Sequence, residues 1–326
     1  MPATESFRDA MERTLYSPGG YYRTRDPRRD YYTAADLHPA FGEILAQDIA
    51  DRLDRLAAGE HRPPYSIVEM GSGSGALARQ ILTALGRLRP HWAAKARYVL
   101  VERSRERLLE SVARLPSGRF PILGLETLEA LEPCAGIFLS NELVDAFPVH
   151  VLEKNGGRLW ELALDSEGRS TLIEIADDRL SAQAARSRSL PEGSRRAVCL
   201  EAGAWLETVS SRLKAGAIIT IDYGSRYAPD APTAPVAFRR HALVADPIPS
   251  RDCDVTAPVD FGVLIEEGLR LGLKTESYGS LGRFLLDRGI MEWVERSEPL
   301  RERPRLKTLF HPEGMGEAFK VLVQTR

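Results

Sequence analysis

The sequence predicts an α/β fold: a Rossmann-like, mostly parallel, doubly wound sheet with an N-terminal helical segment and inserted elements. Three observations predict it. Short apolar runs of strand length, residues 65–70, 98–101 and 136–140, each end in polar or glycine-rich sequence. Amphipathic stretches of helical length, residues 76–88 and 105–115, alternate with them. The first run leads directly into Glu69-Met70-Gly71-Ser72-Gly73-Ser74-Gly75, the strand, loop, helix order that a cofactor site needs.

Within residues 34–56, Leu37, Phe41, Ile44, Leu45, Ile49 and Leu53 recur at three- and four-residue intervals, which predicts one long amphipathic helix. Pro63-Pro64 then punctuates the chain. The strand at 98–101 ends in Glu102, and the strand at 136–140 ends in Asn141 and Glu142. Short alternating runs at 149–153, 158–164 and 172–175, with turn signals at Asn155-Gly156-Gly157 and Glu167-Gly168, predict an antiparallel insertion. A helix around 202–213 returns the chain to a strand at 217–222, followed by Tyr223-Gly224. Residues 227–235, rich in Pro and Ala, read equally as a lid or an inert connection. A helix at 261–271, a strand at 274–277, a helix at 282–287 and a terminal strand at 318–325 complete the pattern. The expected division is an N-terminal helical segment at 1–62 and a cofactor domain at 63–148 that resumes at 201–326. Between its two parts lies an inserted antiparallel and helical element at 149–200.

With 326 residues, the chain suits one large domain or two modest ones. Its 43% hydrophobic and 28% charged residues are those of a soluble globular protein. Lys plus Arg is 44 against 46 for Asp plus Glu, so no basic field would draw nucleic acid to it. Cys134, Cys199 and Cys253 are widely separated, without the density of a disulfide scaffold, which fits a reducing cytoplasm. The N-terminal 13 residues lack a signal-peptide apolar core, and no run approaches the roughly 18 apolar residues of a membrane span. His38, His61, His91, His150 and His311 show no metal-ligand spacing, and no metal is expected. Composition leaves the oligomeric state open.

Gly71, Gly73 and Gly75 free the loop of β-carbons, so its backbone can turn sharply and approach a ligand at a helix N-terminus. With Ala76 the same residues also satisfy the dinucleotide pattern Gly-x-Gly-x-x-Ala, which keeps a nicotinamide enzyme open. Two acids favour S-adenosylmethionine instead. Glu69 precedes the loop, where a carboxylate suits the cationic amino-acid portion of that donor and would repel a pyrophosphate. Glu102 ends the next strand, 31 residues after Gly71 (102 minus 71), placed to accept hydrogen bonds from both ribose hydroxyls. The dinucleotide rule expects its acid at about 20 residues. The bland alternative is a tight turn between solvated strand ends.

The sequence also resembles the MidA-like family, bacterial and mitochondrial methyltransferases related to the arginine methyltransferase that assists assembly of respiratory complex I. The resemblance spans nearly the whole chain. It rests on Gly20-Tyr21-Tyr22, residues 32–36 through 41–43, the glycine loop and Ser140-Asn141-Glu142-Leu143-Val144-Asp145-Ala146-Phe147-Pro148-Val149. Ile221-Asp222-Tyr223-Gly224, Arg239-Arg240-His241, residues 254–261 and Phe319-Lys320-Val321-Leu322 extend it. The chain departs at Thr33-Ala34-Ala35-Asp36, where the family usually has Thr-Ser-Pro-Glu, and at Pro258, where the family usually has His. The resemblance implies a class I, Rossmann-like methyltransferase that uses S-adenosylmethionine and a protein arginine as acceptor.

Methyl transfer from a sulfonium is an in-line displacement that rests on alignment, with no need for a metal or a nucleophilic side chain. An arginine acceptor is always charged and presents a planar fork of donors, for which carboxylates are the expected partners. Glu142 and Asp145 are therefore candidates for gripping the guanidinium, and Asn141 for positioning either cofactor or acceptor. The competing reading makes Asn141 a helix cap, with Glu142 and Asp145 in the helix's first turn. His241 is a candidate proton acceptor, although a histidine beside Arg239 and Arg240 is more often structural. Asp222 and Tyr223 end a strand and are candidates to line the site. A small-molecule acceptor and a catalytically silent assembly factor remain rival functions.

Overall fold

The computed structural model describes residues 4–25, 30, 32–116, 120–240, 242–244, 247–296 and 302–326. The chain divides into two compact units, one from residues 32–143, 206–224 and 265–326, the other from residues 1–31, 144–205 and 225–264.

In the first unit the described residues form seven strands of one mixed sheet: β1 (Tyr65–Met70), β2 (Ala96–Val101), β3 (Ile122–Leu125), β4 (Cys134–Asn141), β5 (Leu213–Ser225), β6 (Lys274–Ser280) and β7 (Phe319–Thr325). Their order across the sheet is β6-β7-β5-β4-β1-β2-β3. Strands β5, β4, β1, β2 and β3 pair in parallel, and β7 runs antiparallel to both β5 and β6. Every residue of β1 is buried, the polar Ser66 and Glu69 included, as in a strand covered on both faces. Helix α1 (Ala40–Ala58) and helix α2 (Ala76–Leu88) pack on one face, where Phe41, Ile49, Ile81 and Leu85 meet Ile67, Ile137 and Ile219. Helix α3 (Arg105–Ala113) follows β2, and Ser104 caps it by accepting the Arg107 N–H.

Residues 34–56 do not form the single helix that their periodicity predicts. A short helix, Ala34–Leu37, stops at His38, and α1 starts only after Pro39. Proline has no N–H to continue the ladder and drives the preceding residue extended, as at His38 (φ −158°, ψ 140°). His38 Nδ1 instead accepts the Ala40 N–H at 3.1 Å. Further along α1, buried Asp48 accepts from Arg52 Nε at 2.7 Å and from Arg288 Nη2 at 2.8 Å. Arg52 Nη2 also reaches Glu276 Oε1 at 2.8 Å, tying α1 to the outer strand β6.

The second unit carries the antiparallel hairpins expected after residue 149. His150–Asn155 pairs with Arg158–Leu164, which pairs in turn with Ser170–Ile173, and Arg195–Val198 joins on the other side. Glu5–Ser6, within the segment expected to be helical, adds a strand to Arg158–Leu164 before the helix Phe7–Tyr16 begins. A separate small sheet of Ala242–Val244, Val236–Arg239 and Asp254–Thr256 escaped the sequence reading because its strands are too short for alternation to register. Phe7, Met11, Leu15, Tyr21, Val151, Leu162 and Val255 form this unit's core. The loop at 227–235 is pinned. Arg196 Nη1 donates to the carbonyls of Ala228 at 2.7 Å and Ala231 at 3.0 Å, while its Nη2 pairs with Asp260 at 2.9 Å. Among the described residues, no helix is long and apolar enough to cross a membrane.

Removing one member of a buried ion cluster strands the charges it held. Asp48→Ala is expected to lower the unfolding free energy by about 3 kcal/mol in chemical denaturation. A loss below about 1 kcal/mol would place the cluster with surface pairs of little consequence.

Candidate functional site

Strand register sets the site. Met70 of β1 lies opposite Ser140 of β4 on one side and Val101 of β2 on the other. The three strands therefore stop at one level, and Asn141, Gly71 and Glu102 emerge side by side. The chain after β1 is bound at once to its neighbour: Gly71 and Ser72 donate their N–H groups to the Val101 carbonyl at 2.9 and 3.3 Å. Gly75 N–H then donates to the Ser72 carbonyl at 2.8 Å, and α2 starts.

The three glycines all have left-handed φ, at 73°, 51° and 73°, but for different reasons of space. A β-carbon at Gly71 would lie 2.8 Å from Leu143 Cδ1, and one at Gly75 would lie 2.9 Å from Ser111 Cβ. At Gly73 nothing comes nearer than the Gly71 carbonyl oxygen at 3.9 Å. Two glycines thus serve packing of the loop itself. Only Gly73 offers bare backbone to open space.

Glu102 holds this loop in shape. Its Oε2 accepts the Gly73 N–H at 3.1 Å and its Oε1 accepts the Ser104 N–H at 2.9 Å. The N–H of Gly73 is an orphan of a tight turn, and a charged acceptor satisfies it better than water would.

Glu69 differs from the bare strand-end carboxylate that the sequence suggests. It is buried, and Tyr98 Oη donates to its Oε2 at 2.5 Å. Burial outweighs that hydrogen bond and raises its pKa to about 8. Near neutral pH the free protein therefore holds this acid mostly in its neutral form.

Beyond β4, Glu142 adopts a left-handed φ of 52°, unusual for a residue with a side chain. Its N–H donates to the Ile221 carbonyl at 2.9 Å, and its Oε1 accepts both the Ala34 N–H at 2.9 Å and Asn141 Nδ2 at 3.1 Å. Burial first, then the charge of nearby Asp222, raises the Glu142 pKa to about 8 against these hydrogen bonds. The helix-cap alternative finds no helix to cap, because only a three-residue turn, Val144–Ala146, follows. Asp222 is itself buried, accepting Leu143 N–H at 3.2 Å and Tyr223 N–H at 2.9 Å.

Glu69, Gly71, Gly73, Gly75, Glu102, Asn141 and Glu142 thus come together in one unit. Asp145 belongs to the other unit, where it is buried and its carbonyl accepts the Ala257 N–H at 2.9 Å. His241 lies outside the described residues. Among the described residues, no group of three or more His, Cys, Asp or Glu is arranged to hold a metal. Ser72 and Ser140 went unnoticed as site residues. The Oγ of each is buried at the strand ends without a hydrogen-bond partner, as is Asn141 Oδ1. Their signal was present as small polar residues closing apolar runs.

A family model described as "Putative S-adenosyl-L-methionine-dependent methyltransferase" matches residues 44–279. The chain belongs to this family. It is similar to a Burkholderia thailandensis protein whose crystal structure holds S-adenosyl-homocysteine, at 29% identity and a TM-score of 0.85, covering 99% of this chain and 88% of that one. It is also similar to the mitochondrial protein arginine methyltransferase NDUFAF7 of Danio rerio, at 25% identity over 97% of this chain and 82% of the relative. NDUFAF7 of Mus musculus is 26% identical over 95% and 78%. This methyltransferase uses S-adenosylmethionine. The strand ends fit that group chemically: bare backbone at Gly73, the Glu102 carboxylate beside it and three buried polar atoms without partners would all be satisfied by a polar, partly cationic nucleoside.

A carboxyl whose pKa rises on folding makes the folded state take up a proton, so stability falls as pH climbs from about 4.5 to about 8. Glu69→Gln removes this dependence. The variant is expected to gain on the wild type by on the order of 3 kcal/mol between pH 5 and pH 9 in denaturant titrations. Parallel pH profiles for the two proteins would refute the buried neutral acid.

Proposed function

We propose that this methyltransferase carries its methyl group to an arginine side chain of a protein, as the NDUFAF7 relatives are named for doing. The observation that carries the proposal is the crowding of acids at the end of β4. Glu142 is desolvated with Asp222 and Asp36 close enough to raise its pKa further, a setting that a bound cation would relieve. A guanidinium supplies that cation together with donors for the carboxyl oxygens.

In this reading the arrangement is a class I, doubly wound Rossmann-like domain whose first part is residues 63–148 and whose second part is residues 201–326. The N-terminal helical segment at 1–62 and the insertion at 149–200 are appended to it. Gly71, Gly73 and Gly75 form the donor loop, with Gly73 in direct contact. Glu102 accepts from the ribose, and Glu69 faces the amino-acid portion, where a cation would draw its proton off. The donor supplies an activated methyl on a sulfonium that departs as a neutral thioether. The chain's own contribution is to hold both partners in line and exclude water from the buried strand ends. Sparse, widely separated cysteines support a cytoplasmic setting, the near-neutral charge offers nucleic acid no field, and the naming of the NDUFAF7 relatives supports a protein as partner.

One observation favours a small-molecule acceptor as the second reading. Ala34, whose N–H holds Glu142, stands in the segment where the chain departs from the MidA-like pattern. Incubation of the purified protein with labelled S-adenosylmethionine and a cell lysate separates the readings. The expected label is in protein and released as methylarginine on hydrolysis. Label confined to low-molecular-weight material would establish the second reading, and tight donor binding with no label anywhere would indicate an assembly factor without turnover.

A branched side chain at Gly73 would fill the open side of the loop and strain its left-handed backbone. Gly73→Val is expected to weaken S-adenosylhomocysteine binding at least about tenfold in calorimetry. Unaltered affinity in a folded variant would move the donor away from this loop.

A further inference from the structure

We infer that a cleft in the second unit, lined by Arg25, Arg239 and Arg240, docks an acidic peptide segment whose carboxylates are gripped by the Arg239 and Arg240 guanidinia. The inference needs neither the donor nor the acceptor assignment, since none of these residues belongs to the unit that carries the glycine loop.

The cleft encloses about 670 Å³, and five of the eight described residues that line it are charged: the three arginines, Asp30 and Asp252. Both acids are already engaged. Asp252 accepts from Arg25 Nη2. Asp30 is buried, with Oδ2 accepting from Tyr21 Oη at 2.7 Å and Oδ1 from the Arg240 backbone N–H at 2.6 Å. Asp30 thus answers the main chain of Arg240 and not its guanidinium. Among the described residues, neither the Arg239 nor the Arg240 side chain makes a hydrogen bond or an ion pair. Two consecutive forks of donors therefore line one cleft without a protein acceptor.

The backbone adds a second observation. Arg239 pairs with Ala242 across a hairpin, so the chain reverses over two residues, of which Arg240 is the first. Arg240 has a left-handed φ of 52°, a conformation that glycine and asparagine adopt at less cost. The Asp30 bond to its N–H holds that conformation in place. A turn alone gains nothing from a guanidinium at this position, and strained residues of this kind collect at ligand clamps.

Chemistry and size select the ligand. A guanidinium fork matches a carboxylate bidentately, and consecutive forks suit oxyanions spaced along one chain. An inorganic anion would occupy little of the cleft, and small organic ligands favour apolar linings, unlike this one. Leu243, 64% exposed in the same cleft, offers an apolar contact to the stem of an acidic side chain. Nucleic acid, the other polyanion, would find no extended basic track on a chain whose net charge is -2. Recognition of acidic motifs by clustered arginines is the mode that fits.

The test is calorimetry on the whole protein with two peptide probes of equal length, acetyl-tetraglutamate amide and its tetraglutamine counterpart. The wild type is expected to prefer tetraglutamate by at least about tenfold at about 50 mM salt, and the preference is expected to shrink at about 0.5 M. Arg240→Asn removes the fork and keeps a residue that tolerates the turn, so the variant is expected to melt no lower than the wild type. Combined with Arg239→Gln, it is expected to bring the two peptides within about twofold of each other. The inference is overturned by a wild type that binds neither peptide or does not discriminate, or by a preference that survives the double variant. It is equally overturned if inorganic phosphate or tetrathymidylate binds as tightly as tetraglutamate, which would make the cleft a site for a lone anion or for nucleic acid.

Discussion

Everything at the candidate site depends on the parallel pairing of β4, β1 and β2 in a register that ends all three strands at one level. Parallel strands direct their C-terminal ends the same way, so residues that are 30 to 70 positions apart in the chain become neighbours. The loop after β1 is then closed by hydrogen bonds to the Val101 carbonyl, and Glu102 fastens Gly73 from the next strand. Had β2 slipped by one residue, its side chains would have exchanged faces and Glu102 would have lost the loop.

That arrangement has an electrostatic consequence. Strand ends covered from water make carboxyls costly to ionise, and Glu69 and Glu142 both respond with a raised pKa. Each is stabilised differently, Glu69 by the Tyr98 hydroxyl and Glu142 by two N–H donors. Such acids suit a site whose reactants are cationic, because the arriving charge supplies what burial has withheld. The donor of this methyltransferase is such a cation.

Much of the fold was legible because its signals are local. The spans of β1 and α2 follow from a short, mainly apolar run closed by glycines and from an amphipathic period, neither of which needs a partner to be recognised. Local signals also mislead where two of them compete. The apolar period from Ala34 onward is genuine, yet Pro39 breaks it, since a missing N–H outweighs a continuous apolar stripe. Residues 236–256 were unreadable for the opposite reason. Their strands are three or four residues long and acquire their identity only from pairing with one another.

The sequence by itself determined the α/β class, the glycine loop and the acids that end the strands, because these depend on residue type and short-range spacing. Only the tertiary structure decided what each site residue does. Gly71 and Gly75 answer to Leu143 and Ser111, Glu69 to Tyr98, and Glu142 to Ala34, and none of these partners lies within 20 positions along the chain. Hydrogen bonding and desolvation are set by neighbours in space, and those neighbours exist only once the sheet has been assembled.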